Sequence, residues 1–398
     1  MSASETVEVT GHLMDSGILS RILDDIREYD GDYVIDRFDV GHEAADTSNA
    51  RITVTAEDDE ALQRLLMRLQ TRGVNQVDPG EAATAEAEMD GVFPDGFYST
   101  TNLATRVRLA GRWYDVENPE MDCGLIVEGE GDSLRVYTLP MSDVRTGMRV
   151  VCCASGIKVT IPELERSKDA FGFMDSDVSS EKPQAVLVRQ VADGMREAKA
   201  AGKKVLWVGG PGVVHTGAAP AMVAMVKAGY VDVLFAGNAL ATHDIESALY
   251  GTSLGVDLAM GQGVEHGHEH HIRALNTIRK AGSIKAAVDQ GVLTGGIMHA
   301  LVTQEKTFVL VGSVRDDGPL PDVYTDVIEG QRAMRAELKD VCFCLMVATM
   351  LHSVATGNIL PASIPLVCVD INPATVTKLA DRGSSQARGI VTDVGLFL

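Results

Sequence analysis

Glycine, asparagine and aspartate follow four apolar runs in the second half of the chain, where their types and spacing could serve a ligand. Gly210 and Gly212 lie in KKVLWVGGPGVVHTG, Asn238 in VDVLFAGNALATHD, Asp317 in KTFVLVGSVRDDGPLPD and Asp370 in IPLVCVDINPATV. Glycine lets backbone N–H groups approach a phosphate, and a carboxylate can accept hydrogen bonds from both hydroxyls of a ribose. The pattern therefore favours a nucleotide site.

These four runs also predict the fold that positions those residues. Apolar runs separated by helical sequence are typical of buried parallel strands, whose following loops gather along one edge of an open sheet. We expect an α/β domain with a Rossmann-like parallel sheet over residues 180–398. The dinucleotide fingerprint is incomplete, because the glycine after Gly210-x-Gly212 comes five residues on and Asn238 stands where an acid is usual. A tight structural turn is the alternative for the glycines.

Two further polar groups follow the same runs. His243 stands beside Asp244, and the pair could exchange protons with a substrate, although Thr242 could simply cap the next helix. Arg315 lies with Asp317 in an irregular loop, where the arginine could hold a carboxylate and the aspartate an ammonium group. A solvated loop with internal ion pairs is the alternative.

A third group closes an apolar segment near the C-terminus. We predict an apolar helix over Val341–Met350, with a histidine and hydroxyl groups at its end in the sequence Ala-Thr-Met-Leu-His-Ser. His352 could reach the same crevice as the strand-end loops. A core histidine is the alternative.

The sequence HGHEHH, which holds His266, His268, His270 and His271, invites a metal interpretation. The neighbouring glutamates could simply pair with these imidazoles at a helix start. We expect no metal.

The first half of the chain predicts two smaller modules. Residues 5–75 follow the order strand, helix, strand, strand, helix, which indicates a ferredoxin-like α+β module over 1–78. Packing or dimerisation is its expected role, and regulatory ligand binding is the alternative. Glu81–Glu88 is predicted as an acidic linker or a short exposed helix. Alternating segments between turn signals indicate a small β-rich module over 92–165.

Composition excludes several classes of protein. The formal charge of −21, from 56 acidic and 35 basic residues, argues against a nucleic-acid partner. No apolar stretch approaches the roughly 20 residues of a membrane helix, and the polar start MSASETVEV lacks a signal peptide, so we expect a cytoplasmic protein. Acidity with more arginine than lysine favours a high-salt cytoplasm over an ordinary acidic protein. The six cysteines form no CxxC pair and are expected to be buried free thiols.

Several long motifs carry a family resemblance. The segment Asn118–Cys123 after Gly111–Tyr114, together with GPGVVHTG, AGNALATHDIE, SVRDDGPLPD and CVDINPATVTKLADRGS, resembles the archaeal type of ornithine cyclodeaminase over nearly the whole chain. The sequence is also similar to the C-terminal half of the cyanobacterial arginine dihydrolase/ornithine cyclodeaminase and to a region of the plant bifunctional lysine-degrading enzyme (LOR/SDH). The family's sheet domain is similar to the NAD-binding domain of deoxyhypusine synthase, which would account for the weak fingerprint.

The resemblance implies conversion of L-ornithine to L-proline and ammonia with a bound NAD that is regenerated in each turnover. Glu120 and Asp122 are expected to bind substrate and Arg315 its carboxylate, with His243 and Asp244 as further catalytic candidates. The expected partners are small molecules and further copies of the chain. Residues expected to bind NAD are Gly210, Gly212, Asn238, Ala239, Asp317, Thr349, Met350, Leu351, His352, Asp370, Asp393 and Val394.

Three other functions stay open. A saccharopine-like oxidoreductase on the same sheet would accumulate NADH. A transferase that forms an enzyme imine would need a crevice lysine, for which Lys285 and Lys306 are candidates outside the four loops. A sensor of amino acid and NAD would show no turnover.

Overall fold

In the computed structural model most strand pairs of the first half of the chain are antiparallel and most pairs of the second half are parallel. The structure describes residues 2–13, 17–41, 46–161, 178–179, 184–258, 269–316, 318–381 and 387–398. The chain divides into two units. The first comprises Met1–Ala170 with Asn358–Ser363, and the second comprises Phe171–Gly357 with Ile364–Leu398. The finer division into modules at 1–78, 92–165 and 180–398 stays a prediction.

The first unit begins with the predicted ferredoxin-like module. Its elements are β1 (Ala3–Gly11), α1 (Ile18–Glu28), β2 (Asp32–Asp39), β3 (Ser48–Ala56), α2 (Asp59–Gln70) and β4 (Asn75–Gln76). The strands pair in the order β2-β3-β1-β4, and all three pairs are antiparallel. The Asp58 carboxylate caps α2 by accepting from the Ala61 N–H at 2.8 Å. The ferredoxin-like prediction is therefore confirmed.

The first unit also holds a seven-stranded sheet in the order β11-β6-β7-β9-β8-β10-β5. Its strands are β5 (Ala83–Glu86), β6 (Ala104–Leu109), β7 (Arg112–Glu117), β8 (Gly124–Glu128), β9 (Arg135–Leu139), β10 (Arg149–Cys152) and β11 (Ile157–Thr160). The prediction of a linker or helix over Glu81–Glu88 is wrong, because Ala83–Glu86 pairs antiparallel with β10. The open edge of β10 supplies backbone partners that outweigh the helix propensity of alanine and glutamate.

The second unit is built on a parallel sheet, as the apolar runs predict. Its strands pair in the order β12-β21-β20-β19-β13-β14-β17-β18, and every pair is parallel. In chain order the elements are β12 (Val178–Ser179), α3 (Gln184–Ala200), β13 (Lys204–Gly209), α4 (Gly212–His215), α5 (Ala219–Lys227), β14 (Val233–Gly237), α6 (Asn238–Tyr250), β15 (Thr252–Ser253), β16 (Val256–Asp257), α7 (His270–Ala281), α8 (Ile284–Asp289), α9 (Gly296–Thr303), β17 (Thr307–Val311), β18 (Val323–Tyr324), α10 (Val327–Ala336), β19 (Val341–Val347), α11 (Leu351–Ile359), β20 (Leu366–Asp370), α12 (Pro373–Asp381), β21 (Ala387–Val391) and α13 (Val394–Phe397).

One element of this unit contradicts the sequence prediction. Val341–Met350 is not a helix: Val341–Val347 is the strand β19, which pairs with β13 on one side and β20 on the other. A short run that is apolar throughout has no periodicity that distinguishes a buried strand from a buried helix. The correction places His352 in the first turn of α11, directly after a strand of the sheet.

The chain order creates a switch point at the carboxyl edge of the sheet, meaning the end at which the parallel strands finish. From β13 the chain builds β14, β17 and β18 to one side, and it then returns to build β19, β20 and β21 to the other. The crevice therefore opens between the ends of β13 and β19, which is where open α/β sheets bind ligands.

The sequence predicts buried free cysteines and no membrane-spanning helix. All six cysteines are free thiols; four are buried, and Cys153 and Cys342 are half-buried. Among the described helices, none combines the length and the apolar character needed to cross a bilayer.

Candidate functional site

At the switch point two loops are in direct contact. The Gly210 N–H donates to the Val347 carbonyl at 2.9 Å. A Cβ atom on Gly210 would lie 1.8 Å from the Ala348 carbonyl oxygen, and one on Gly212 would lie 2.9 Å from the Ala348 Cβ. Ala348 itself has a positive φ of 51°. Only glycine therefore allows the β13 and β19 loops to meet, which explains the glycine pair better than a phosphate fingerprint does.

The helix after β14 begins at the crevice. Gly237 is the N-cap of α6, no side chain caps the helix, and Asn238 and Ala239 are its first residues. Its N-terminal amides therefore provide a positive helix end for an anion. Thr242 is not a cap, as it lies one turn inside the helix, where its Oγ1 donates to the Asn238 Oδ1 at 3.3 Å.

The Asn238 amide holds the loop after β17 in place. Its Oδ1 accepts from the Leu320 N–H at 3.1 Å, and its Nδ2 donates to the Asp316 Oδ1 at 3.2 Å. The other Asp316 oxygen accepts from the Ser313 N–H at 2.7 Å. Arg315 is exposed and makes no ion pair within the described residues. The sequence candidate Asp317 lies outside those residues.

His352 bridges the ends of three strands. It follows β19, and its Cε1 lies 3.1 Å from the position of a Cβ on Gly237 at the end of β14; the Val311 carbonyl oxygen at the end of β17 lies 3.7 Å from the same position. Burial lowers the pKa of His352, and this effect outweighs the opposing influence of the Val311 carbonyl and of the charge of Asp316. Its neighbours Thr349 and Met350 are half-buried, whereas Leu351 is 69% exposed.

Two aspartates end the strands on the other side of the crevice. Asp370 is the last residue of β20 and is buried, and its Oδ1 accepts from the Asn372 N–H at 2.8 Å. Asn372, not Asp370, caps α12 through the Ala374 N–H at 3.0 Å. Asp393 caps α13 through the Gly395 N–H at 2.8 Å, and Val394 is buried behind it.

Asp244 is buried and hydrogen-bonds the start of another helix. Its two carboxylate oxygens accept from the Ile297 and Met298 N–H groups at 2.7 and 2.8 Å, so it caps α9 from within α6. Burial raises the pKa of Asp244 to about 6, although these two amides oppose the shift. Asp244 does not hydrogen-bond its neighbour His243, because successive helix residues do not face each other. The catalytic roles expected of His243 and Asp244 stay predictions.

His243 instead pairs with a residue that the sequence reasoning missed. Its Nδ1 lies 2.8 Å from the Oε2 of Glu246, which is 0% exposed. Glu246 also accepts from the Thr252 Oγ1 at 2.9 Å and from the Leu254 and Gly255 N–H groups at 3.3 and 3.1 Å. The i,i+3 spacing in THDIE was the signal that could have found it.

Two further imidazoles lie near this pair, and we call His215, His243 and His271 with Glu246 the histidine cluster. The His215 and His243 ring centroids lie 4.8 Å apart, and those of His243 and His271 lie 6.3 Å apart. The His215 Nδ1 lies 2.7 Å from the Ser253 Oγ. In the described parts of the chain no group of three or more such side chains is placed to hold a metal ion. His266 and His268 lie outside them, so the expectation of no metal stays a prediction.

The remaining candidates lie in the first unit. Glu120 is buried and accepts from the Cys123 thiol at 3.1 Å. Asp122 is exposed, with a positive φ of 60°, and its N–H donates to the Thr100 carbonyl. Their proposed role in substrate binding stays a prediction.

The lysines required by an imine-forming transferase are placed elsewhere. The Lys306 Nζ donates to Asp232 at 2.9 Å, just before β17 begins and thus at the edge opposite the crevice. Lys285 is exposed and pairs with Asp289 at 2.7 Å within α8. Neither is a crevice lysine.

Three family models together match most of the chain. Residues 189–398 match the "Arginine dihydrolase ArgZ-like, C-terminal, Rossmann fold" family, residues 104–188 match its first region, and residues 4–103 match the "LOR/SDH bifunctional enzyme conserved region". The match to a Rossmann-fold family agrees with the parallel sheet of the second unit.

Three known proteins are similar to the chain. An ornithine cyclodeaminase of Methanothermobacter thermautotrophicus is 52% identical over 98% of this chain and 95% of its own length. The crystal structure of a conserved LOR/SDH protein from Methanococcus maripaludis S2 matches with a TM-score of 0.75 and 48% identity, over 80% of this chain and 96% of that one. The ternary complex of AgrE with ornithine and NAD+ matches with a TM-score of 0.53 and 39% identity, over 100% of this chain and 56% of that one. AgrE is a bifunctional arginine dihydrolase/ornithine cyclodeaminase of Nostoc.

Proposed function

Because the chain belongs to the ornithine cyclodeaminase family, we propose that it converts L-ornithine to L-proline and ammonia with NAD as its cofactor. The observation that supports this most directly is the switch point, where Gly210 brings the β13 and β19 loops together and an uncapped helix α6 begins beside them. The binding of ornithine and NAD+ by the similar AgrE gives the ligands.

The residues at the carboxyl edge fit NAD. The N-terminal amides of Asn238 and Ala239 suit a pyrophosphate, since α6 is 13 residues long and no side chain forms a capping hydrogen bond at its start. Asp370 can accept from ribose hydroxyls, and its charge would repel the 2′-phosphate of NADP. Leu351 and Ile371, each 69% exposed, offer apolar surface for the faces of the two aromatic rings. His352 would lie against the cofactor from the end of β19.

The reaction divides between cofactor and protein. When bound, NAD would take a hydride from the α-carbon of ornithine and return it to the cyclic imine that forms after the δ-amine attacks and ammonia leaves. The protein must bind the carboxylate, keep the amines in register and move protons. We assign the carboxylate to the exposed guanidinium of Arg315, which the described structure leaves without an ion pair.

The first test is product analysis with purified protein. L-Ornithine is supplied with and without NAD, and proline, ammonia and absorbance at the NADH wavelength are followed together. Proline and ammonia in equal amounts without net NADH would support the proposal. Accumulation of NADH would contradict it in favour of an amino-acid dehydrogenase, and absence of any product would favour a sensor.

The conditions of that assay follow from the charge. A net charge of −21 favours a protein adapted to high salt, so we propose that activity and thermal stability rise from low to molar KCl. We also propose a cytoplasmic homo-oligomer that serves proline biosynthesis. Activity that is indifferent to KCl would contradict the salt adaptation, and a monomeric mass in light scattering would contradict the oligomer.

A further inference from the structure

The histidine cluster has a chemistry that the nucleotide crevice does not supply. Ionised Glu246 can only accept hydrogen bonds, so the His243 Nδ1 at 2.8 Å from its Oε2 must be the donor. In a neutral ring the proton then resides on Nδ1, and Nε2 carries the lone pair. A carboxylate that fixes the histidine tautomer in this way is the arrangement found in histidine bases.

The surroundings of Glu246 keep it ionised. Burial raises its pKa, but the hydrogen bonds from His243, Gly255 and Thr252 together outweigh burial, so the pKa of Glu246 is lowered. Three of its four donors are neutral: the Thr252 hydroxyl and the Leu254 and Gly255 N–H groups. The His243 Nδ1–H therefore faces an ionised, buried carboxylate, which holds the ring in one orientation and leaves Nε2 on the side away from Glu246.

The cluster lies beside the crevice. His215 ends α4, the short helix after the Gly210 loop, and His243 lies in the second turn of α6 after Asn238. The Thr216 carbonyl lies 3.3 Å from the position of a Cβ on Gly395, in the α13 turn that starts at Asp393. The His243 side chain is 12% exposed, so part of the ring is accessible.

The other titratable groups facing His243 come from two neighbouring helices. His215 approaches from α4 and His271 from α7, while Glu246 is on its own helix. Burial lowers the pKa of His215, and repulsion from His243 adds to the effect.

We propose that His243 is the catalytic residue that exchanges a proton with an amine of the diamino-acid substrate, and that Glu246 is its positioning residue. This rests on the proposed function. An N–H bond of the substrate ammonium breaks and its electron pair stays on nitrogen, while the proton forms an N–H bond with His243 Nε2. The imidazolium later returns this proton to the amine that departs as ammonia, so the protein ends each turnover unchanged.

The first experiment needs no variant activity. Two-bond ¹H–¹⁵N correlation spectra of histidine-labelled protein distinguish the two neutral tautomers, and the signals missing from His243→Gln identify His243. We expect the Nδ1-protonated tautomer in the wild type and a mixture of tautomers in Glu246→Gln. A wild-type ring protonated on Nε2 would overturn the inference whether or not any variant folds.

The second experiment is kinetic. His243→Gln should lower kcat on the order of 100-fold or more at similar KM, the usual effect of losing an acid/base group. Glu246→Gln should lower kcat less than His243→Gln does, because the ring stays in place but is no longer held in one tautomer. His299→Gln on α9 is the matched control and should leave kcat, KM and NAD affinity unchanged.

The outcomes separate this inference from the proposed function. If the wild type makes proline and His243→Gln retains more than a tenth of its kcat, the inference is overturned and the proposed function stands. If NAD affinity falls in His243→Gln as much as kcat does, the role is cofactor binding and the inference is also overturned. If the wild type makes no proline, the proposed function and the substrate assigned to His243 both fall, while the expected tautomer would still support the positioning role of Glu246.

Discussion

Charged side chains at the two edges of the parallel sheet have different kinds of partner. At the amino edge Asp232 accepts from the Lys199 Nζ at 2.8 Å, the Lys306 Nζ at 2.9 Å and the Val205 N–H at 3.0 Å. Burial raises the pKa of Asp232, but these partners outweigh it and lower the pKa overall. Both carboxylate oxygens of Asp232 therefore serve structural hydrogen bonds.

At the carboxyl edge the charged and polar groups meet glycines, backbone amides and each other. Within α6, which starts at this edge, Asp244 caps α9 through two amides, and burial raises its pKa to about 6. Gly210 leaves no room for a side chain, and Arg315 is without an ion pair in the described chain. Ion pairs at the amino edge therefore stabilise the fold, whereas the candidate functional groups lie at the carboxyl edge. Such a concentration of candidate groups at one place is typical of functional sites.

Gly210→Ala should break the carboxyl edge most severely. The new Cβ would lie 1.8 Å from the Ala348 carbonyl oxygen, which is backbone and cannot rotate away. We expect NAD affinity to fall on the order of 100-fold or more and stability to fall by about 3 kcal/mol. Calorimetric titration and thermal unfolding measure the two effects.

Gly295→Ala is the control for that change, since no atom lies within 4 Å of its Cβ position and its φ is −155°. It should lose less than about 1 kcal/mol, the range for an N-cap. Equal losses in the two variants would show that loop contact at the switch point does not matter.

Asp370→Asn should weaken NAD binding with little effect on folding. A hydrogen bond to a charged group contributes about 1.5–3 kcal/mol, so we expect about a 10–100-fold rise in Kd. Asp340→Asn, which changes an exposed partner of Lys203 on the amino side of β19, should leave Kd unchanged. Unchanged affinity in Asp370→Asn would remove the proposed ribose contact.

The pH dependence of stability should distinguish Asp244 from Asp232. The folded pKa of Asp244, about 6, lies above the ordinary value of 3.8, so the wild type should lose about 1 kcal/mol relative to Asp244→Asn as pH rises from 5 to 7. The pKa of Asp232 is lowered, so its stabilisation is complete above pH 4, and the deficit of Asp232→Asn should be constant over that window. Denaturant unfolding at pH 5, 6 and 7 measures both, and equal slopes would contradict the comparison.

Lys306→Met should have the smallest effect. It removes one of two lysines from Asp232, so we expect a loss of about 1 kcal/mol or less, because Lys199 still pairs with the carboxylate. NAD affinity and proline formation should be those of the wild type. A complete loss of turnover in a folded variant would instead revive the imine-forming transferase.

Much of this fold could be predicted from residue patterns. The alternation and helical periodicity of residues 5–75 predicted the ferredoxin-like order, and four apolar runs predicted strands β13, β14, β17 and β20. The failures share one cause. Val341–Val347 is apolar at every position and Ala83–Glu86 is polar and rich in alanine, so neither carries a period, and strand partners remote in sequence decide their conformation.

The candidate site shows the same limit at the level of side chains. His243 and Asp244 are adjacent in the sequence Thr-His-Asp-Ile-Glu, which made both of them candidates. In the helix these two side chains do not face each other, and His243 instead hydrogen-bonds Glu246, three residues further on. No pattern in the sequence near Asp244 predicts its hydrogen bonds with the amides of Ile297 and Met298, which lie more than 50 residues away. The sequence offered no reason to select His215 from the glycine loop as a functional candidate, because only the packing of α4 on α6 places it beside His243.

By itself the sequence determined the kinds of element, the family and the set of strand-end residues, because these depend on local periodicity and on motifs read along the chain. Only the tertiary structure decided which carboxylate serves which partner. Asp232, Asp244 and Glu246 are all acidic and at least half-buried, yet lysines, amides and a histidine give them three different functions. The physical reason is that the free energy of a buried charge is set by the groups within hydrogen-bonding distance, and those groups come from distant parts of the chain.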